Sequence, residues 1–414
     1  SGISIDTREN LEDKIFVALK GERFNGNDYI KLALEKKAMF VICDQNNSIN
    51  DDRIILVKNS LKSLQQLARF HKNQLNIPVI GITGSNGKTS TKELIGLLLN
   101  QSINTYYTQG NFNNHIGVPL SLLSMNKNHK LAVIEMGANH PGEIAELCEI
   151  SDPDYGIVTN VGKAHLEGFK TFENIFNTKI ALYQYVIKKK GLIFINNDLE
   201  YLKPINKNYN NTFTYSVESK SDLYIDAVKY NPFSSFKYID NKDDSLSPII
   251  ETNLIGTYNT ANVIAAISIA KHFGVETEKI KKALKDYKPQ NNRSQIISKQ
   301  NNIQIILDAY NANPTSVKEA ILTLFKLNGS KTIILGDMLE LGEHSLKEHQ
   351  DIIDLINEKT ESTVILIGSE FLKTKKKNNY YYFLNTNEAK KFIRQQNFNN
   401  NTILIKGSRG VKLE

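Results

Sequence analysis

The chain has few of the features that mark out several protein classes. Only two cysteines, Cys43 and Cys148, stand among its 414 residues. Each lies in an apolar setting and neither forms a Cys-x-x-Cys pair, which argues against a disulfide scaffold or a zinc site and assigns the thiols to the core. No apolar run approaches the roughly 20 residues that span a bilayer, and the amino terminus carries neither a basic leader nor an apolar signal core. A cytoplasmic protein with no membrane partner is expected. No repeat with a period of about 20 to 50 residues is present, and no Ser-His-Asp or Cys-His pattern announces a protein nucleophile. The formal net charge of +7 is mild for this length. Apart from Lys188 to Lys190 and Lys375 to Lys377 it is dispersed, so those runs read as solvated helix ends and loops and no nucleic-acid surface is expected. The modest basic excess does suit small acidic molecules such as nucleotides.

What is present begins with Gly81-Ile-Thr-Gly-Ser-Asn-Gly-Lys-Thr-Ser-Thr91, placed behind the apolar run Ile77-Pro-Val-Ile80 and ahead of a helical pattern. Strand, glycine loop, Lys-Thr and helix in that order form a phosphate-binding loop. Gly84 and Gly87 let backbone N–H groups turn toward a polyanion, and the helix adds the positive end of its dipole. In the resulting nucleotide site (Gly84, Asn86, Gly87, Lys88, Thr89, Ser90), Lys88 reaches the terminal phosphates and the Thr89 hydroxyl is placed to ligate Mg²⁺. The strict template asks for glycine at position 82, where Ile82 stands; the glycine is one residue earlier, at 81.

A chain of this length exceeds one compact core, and two or three domains follow. Short apolar runs at Ile15 to Leu19, Phe40 to Cys43 and Ile54 to Val57 give a small α/β domain over residues 1–75. Longer strand and helix alternation then predicts a parallel, doubly wound sheet over 76–290, with Tyr201 to Asn253 forming an antiparallel addition. A third alternating unit, 291–414, has strands at Ile303 to Asp308, Thr332 to Gly336, Thr363 to Gly368 and Thr402 to Lys406. Ligands gather beyond the carboxyl ends of strands in open parallel sheets, and several strands here end in reactive groups. Leu131 to Ile134 leads into Glu135, a candidate Mg²⁺ ligand, and Tyr155 to Asn160 leads to His165. Ile303 to Leu307 delivers Asp308, Tyr310, Asn311 and Asn313, and Thr332 to Leu335 delivers Asp337 and Glu340. These last two clusters reach the nucleotide only if the third unit closes over the loop. Asp and Asn at such places also cap the next helix, a role that can coexist with the first.

With these motifs in place the chain resembles the Mur ligase family over nearly its whole length. Thr-Gly-Ser-Asn-Gly-Lys-Thr at 83 to 89 is similar to the family's nucleotide loop, and Glu135-Met-Gly-Ala138 to its acidic Mg²⁺ site. Asn111-Phe-Asn-Asn-His-Ile-Gly-Val-Pro119 looks like the segment that meets the muramoyl peptide. Asp308-Ala-Tyr-Asn-Ala-Asn-Pro314, Leu335-Gly-Asp-Met-Leu-Glu-Leu-Gly342 and Lys406-Gly-Ser-Arg409 resemble the branch that adds a D-alanyl-D-alanine dipeptide. Ser4-Ile-Asp-Thr-Arg8 and Phe16 to Gly26 look like its UDP-binding domain, and a short segment ahead of Ser1 is expected.

The resemblance implies a three-domain α/β architecture: an N-terminal UDP-binding domain, a central P-loop ATPase domain with a parallel sheet, and a C-terminal Rossmann-like domain. It implies ATP and Mg²⁺, two ions, with Thr89 and Glu135 as ligands, His165 at a second ion, and Lys179 helping to hold Mg²⁺. Lys179 matches the position where the family carbamylates a lysine; CO₂ adds only to a neutral amine, and free lysine has a pKa of about 10.4, so the site has to depress it. Asn259 and Asn262 would face the adenine, and the family commonly has His where Tyr258 stands. Arg293, Asp308 and Tyr310 would come from the closing domain toward the phosphates and ribose. Asp6, Thr7, Arg8, Asn111, Asn113, Asn114, Asp337, Lys406 and Ser408 would meet the substrates, UDP-N-acetylmuramoyl-tripeptide and D-Ala-D-Ala. A monomer is expected. Lys88, Lys179, His165 and Arg293 are the implied catalytic set for amide formation through an acyl phosphate. A sibling ligase that adds one amino acid, folylpolyglutamate synthase and a P-loop nucleotide switch stay open as other readings.

Overall fold

The computed structural model describes residues 2–414 except 47, 231, 243, 291, 360 and 361. Three sheets follow one another along the chain. The first has the strands Gly2–Ser4, Lys14–Val17, Phe40–Cys43 and Ile54–Leu56 in chain order, all parallel. Leu11, Phe16, Ile30 and Val41 are buried in its core. The helix Ser60–Leu75 then leads to the second sheet, its start capped by Asn59 and its end turned by Asn76 in the left-handed region.

The second sheet has ten strands and holds the phosphate loop at a reversal of strand order. Val79–Thr83 lies between Leu131–Glu135 on one side and Tyr155–Val158 on the other, parallel to both. Each of these strands is almost wholly apolar and buried, as expected where helices cover both faces. Thr105–Tyr107 closes one edge, while Leu192–Asn196 and Thr212–Ser216 extend the other in parallel. The expectation that Tyr201 to Asn253 would be antiparallel is thus corrected in part. The short helix Lys203–Asn208 carries the chain back across the sheet, which a parallel neighbour requires. Antiparallel pairing starts only where Leu223–Tyr230 meets Ser234–Asp240.

The third sheet runs in the order Gln295–Lys299, Ile303–Asp308, Asn401–Lys406, Ser330–Gly336, Thr363–Ile367, Tyr380–Phe383. Only its first pair is antiparallel. The expected boundary residue 291 lies outside the described residues. Cys43 and Cys148 are buried. No helix among the described residues is long and apolar enough to cross a membrane.

The connecting helix is fastened to the second unit by charge. Lys72, nearly buried, donates to Asp152 Oδ2 at 2.9 Å, while Lys189 and Tyr185 donate to Asp152 Oδ1 at 2.6 and 3.1 Å. Burial alone would raise the Asp152 carboxyl, but the hydrogen bonds from Lys189 and Lys72 outweigh it and hold it below the usual range. Asp152→Asn is therefore expected to lower stability by about 1–3 kcal/mol in urea unfolding at pH 7. A depressed carboxyl stabilises above its unfolded pKa and loses that contribution as pH falls through the folded value. The difference between wild type and variant should accordingly shrink on acidification below the ordinary aspartate range.

Candidate nucleotide and ligation site

The loop after Val79–Thr83 is shaped by two glycines. Gly84 has φ of 147°, and a Cβ there would sit 2.0 Å from Thr159 Oγ1 on the neighbouring strand's extension. Gly87 is left-handed with φ of 77° and abuts Asn262 Oδ1. The loop is stitched to the end of Tyr155–Val158: Ser85 N–H donates to Asn160 O, Asn86 N–H to Asn160 Oδ1, and Thr159 Oγ1 to Asn86 O at 2.6 Å. Helix Lys88–Leu99 begins without a side-chain cap among the described residues. Its first N–H groups and dipole thus face the loop, as an anion site requires.

A cavity of about 470 Å³ opens at this point. On its central-unit side Thr89 Oγ1 donates to Glu135 Oε1 at 3.1 Å, and Asn113 Nδ2 donates to the same oxygen at 2.8 Å. Glu135 Oε2 is buried with no hydrogen-bond partner among the described residues. Asn111 and Asn114 line the cavity beside Asn113, and Gly137 passes so close to Asn113 that a Cβ would meet its Oδ1 at 2.8 Å. Lys88 curls back to donate to Gly84 O at 2.6 Å and Ser85 O at 3.2 Å. It keeps some surface open to the cavity, yet the surrounding protein desolvates the ammonium and brings its pKa down to about 8, against the pull of Glu135 and with a push from Arg293.

Lys179 lies behind this wall. It is 2% exposed, its Nζ 3.4 Å from Ala138 O and 5.6 Å from the Phe169 ring centroid. Desolvation first, then the charge of Lys88, pushes its pKa well below the ordinary lysine value. His165 lines the cavity, and its Nδ1 bonds Glu340 Oε2 of the third unit. That hydrogen bond holds the Glu340 carboxyl below the usual range. Among the described residues no three or more His, Cys, Asp or Glu gather to hold a metal ion.

The third unit completes the cavity. Arg293 stacks on Tyr310, its Cζ 3.7 Å from the ring centroid, and its Nε is buried without a partner among the described residues. Asp308 accepts from Lys406 Nζ at 2.6 Å and from Ser294 N–H at 3.0 Å. Asn313 caps helix Pro314–Phe325 and also donates to Asn86 Oδ1 at 2.7 Å, so capping and site contact do coexist there. On the central side, Asn259 and Asn262 are buried on helix Thr257–His272 and line the cavity, Asn262 accepting from Thr91 at 3.1 Å. Tyr258, in the position considered for a histidine, bonds Ser294 at 2.8 Å.

Five expected substrate contacts are not brought to this cavity. Asp337 gives both oxygens to the N–H groups of Glu370 and Phe371, and Ser408 accepts from Leu339 N–H, so both are spent inside the third unit. Asp6 and Arg8 pair with each other at 2.6 Å in the first unit, where Thr7 O accepts from Lys36. Two further residues take part: Asn160, whose amide lies just past the end of Tyr155–Val158 and holds the loop, and Glu340, which reaches His165.

A glycine loop at a strand-order reversal, a buried carboxylate behind it and a second α/β unit facing it define a P-loop nucleotide-using enzyme of three α/β domains. Comparison with known proteins narrows this. The model of the Mur ligase middle domain matches residues 82–270, and that of the Mur ligase glutamate ligase domain matches residues 292–409. The chain is 32% identical over its full length to the UDP-N-acetylmuramoyl-tripeptide--D-alanyl-D-alanine ligase of Bacillus subtilis, covering 91% of it, and 34% identical to that of Rickettsia prowazekii, covering 93%. Among solved structures it is similar to MurF from Acinetobacter baumannii (TM-score 0.89, 29% identity, 99% and 90% of the two chains). It is also similar to MurF ligase from Thermotoga maritima in complex with ADP (TM-score 0.88, 30% identity, 100% and 95%). The chain belongs to the Mur ligase family, within its UDP-N-acetylmuramoyl-tripeptide--D-alanyl-D-alanine ligase branch.

The depressed Lys88 sets a pH expectation. Folding with Lys88 charged is penalised wherever the unfolded lysine is protonated, so Lys88→Met should unfold at a higher temperature than wild type at pH 7. The gap should close as pH rises from about 8 toward the ordinary lysine value of about 10.4. Phosphate binding needs the charged form. Calorimetric affinity of wild type for ADP should fall up to about tenfold between pH 7 and 9, a slope that Lys88→Met removes along with most of the binding.

Proposed function

We propose that this protein is an ATP-dependent ligase that joins the free carboxylate of UDP-N-acetylmuramoyl-tripeptide to the amine of D-alanyl-D-alanine, giving the pentapeptide precursor of peptidoglycan. One observation carries this reading. The Lys88 loop and the Asn111, Asn113 and Asn114 segment meet Arg293, Asp308 and Tyr310 of the third unit around one cavity, in a chain that aligns end to end with ligases of that name. Residues 1–75 serve the UDP moiety through Asp6, Thr7 and Arg8, residues 76–290 bind ATP, and residues 291–414 close over it with Lys406 toward the incoming dipeptide. The enzyme works as a cytoplasmic monomer.

A carboxylate resists attack because its charge and resonance repel a nucleophile. The γ-phosphoryl group passes from ATP to a carboxylate oxygen, breaking the bond to ADP and leaving an acyl phosphate. The dipeptide amine then attacks the acyl carbon, sheds a proton and expels inorganic phosphate. No protein nucleophile is needed, and the chain's task is alignment and charge neutralisation. Lys88 and the loop amides hold the phosphates. Arg293, stiffened by Tyr310, faces them from the third unit, while Asn259 and Asn262 take the adenine and Asp308 and Tyr310 the ribose. Closure excludes water from the acyl phosphate.

The donor set fits Mg²⁺. The Thr89 hydroxyl and the orphaned, buried Glu135 Oε2 are hard oxygen ligands, and Mg²⁺ is ordinarily held by one or two carboxylates together with substrate phosphates. When bound, the ion neutralises phosphate charge. His165, which lines the cavity, would hold a second ion, and Lys179 as a carbamate would add an oxygen ligand; the burial of that amine favours the neutral form that CO₂ requires.

Incubation with ATP, UDP-N-acetylmuramoyl-tripeptide and D-Ala-D-Ala should yield a product heavier by the dipeptide less one water in mass spectrometry. Product formation with a single amino acid or glutamate instead would overturn the assignment. Peptide mapping of protein prepared in bicarbonate should find Lys179 heavier by one CO₂; an unmodified lysine in fully active enzyme would remove the carbamate.

A further inference from the structure

The segment Gly336-Asp-Met-Leu-Glu-Leu-Gly342 is held with unusual completeness for a loop that touches no part of the cavity except through one side chain. Asp337 N–H donates to Ile367 O, Met338 N–H to His349 Nε2 at 3.0 Å, and Leu339 N–H to Ser408 Oγ at 2.9 Å. His349 is wholly buried, and its Nδ1 donates to Ser345 O at 2.7 Å, which fixes Nε2 as the acceptor for Met338. Asp337 ties the loop's start to helix Ser369–Leu372 through two N–H groups at 3.0 Å. Met338 and Leu341 are buried on either side. What this scaffold presents is Glu340, a non-glycine residue with φ of 64°.

Glu340 makes two bonds across the boundary to the central unit. Its carbonyl accepts from Glu167 N–H at 3.0 Å, and its Oε2 bonds His165 Nδ1. His165 is itself left-handed, with φ of 52°. Left-handed backbone is uncommon for residues with side chains and gathers at functional sites. Here two such residues face each other across a domain boundary, one of them lining the cavity. Lys163 and Glu348, paired at 2.6 Å, brace the same junction. The carboxylate accepts only, so Nδ1 carries the hydrogen and Nε2 is the ring atom left for the cavity.

We propose that Glu340 is a positioning residue: closure of the third unit delivers its carboxylate to His165 Nδ1 and so orients the imidazole toward the nucleotide site. This rests on the reading of that site given above. The segment that carries Asp337 is the rigid mount of this contact.

The test uses full-length enzyme with a dye pair at Lys188 and Lys391, both exposed, and a nonhydrolysable ATP analogue with Mg²⁺. Single-molecule energy transfer should find that the analogue gathers wild type into a closed population and that E340G and E340Q leave that population smaller. E340G relieves the left-handed backbone but frees the unfolded chain, so its melting temperature should stay close to that of wild type. In an H165A background E340G should lower the closed population no further, because the two side chains make one contact. In turnover, E340G should lower kcat about tenfold while the KM for ATP changes little. A closed population unchanged by E340G, effects of H165A and E340G that multiply, or a kcat within about twofold of wild type would each overturn the proposal. Absence of dipeptide product from wild type would instead overturn the functional reading, since the energy-transfer arm needs nucleotide alone.

Discussion

The site depends on how closely one backbone is allowed to approach another. At Gly84 the phosphate loop presses against Thr159 at a distance that any Cβ would forbid. That approach lets Thr159 and both the carbonyl and the side chain of Asn160 hold the loop amide by amide. A loop so held spends the Ser85 and Asn86 N–H groups on Asn160 and fixes the direction of those that follow at the helix start before any phosphate arrives, and orientation fixed in advance is what makes dipoles effective at a charged ligand. Glu135, Thr89 and Asn113 build outward from this loop, and the third unit docks on it through Asn86.

Charge is distributed with economy around the cavity. Lys88 is half withdrawn and Lys179 fully withdrawn from water, and neither has a carboxylate in direct contact among its hydrogen-bond partners. Both ammonium groups are therefore disfavoured in the protein alone, and each is relieved by something brought to it: phosphates for one, loss of the proton for the other. Glu135 is the converse, a buried carboxylate with one oxygen satisfied by neutral donors and the other by nothing among the described residues. Such frustration is stable only in a fold whose remaining core is ample, and two large clusters of buried side chains provide it, one of them running from the central sheet into the third unit.

Much of this was legible in the sequence because it depends on local pattern. Strand, glycines and Lys88-Thr89 in order dictate a loop at a helix start, and Lys88, Thr89, Glu135, Asn259, Asn262, Arg293, Asp308 and Tyr310 line one cavity. Asp308 and Lys406 lie 98 residues apart yet pair at 2.6 Å because adjacent parallel strands end side by side, which strand-end reasoning anticipates. Where the structure differs from the expected contacts and strand directions, the cause is shared. Asp337 sits at a strand end like Asp308, but the neighbouring strand there is followed by Gly368 and a helix start that consume its oxygens. Nothing in the segment itself reveals which neighbour the fold supplies. Thr212–Ser216 runs parallel to its neighbour, against expectation, for the same reason: polar, β-rich sequence does not state whether a chain crosses the sheet before pairing.

The contact between Asn86 and Asn313 joins two neutral amides, one in the phosphate loop and one at a helix start in the opposite unit. Dissolved ions screen charges and leave neutral dipoles nearly untouched. The inner part of the junction therefore keeps its strength in brine, whereas the outer pairing of Lys163 with Glu348 weakens there. The enzyme's grip on its own two halves is thus least dependent on the cell's salt at the point nearest the reacting phosphate.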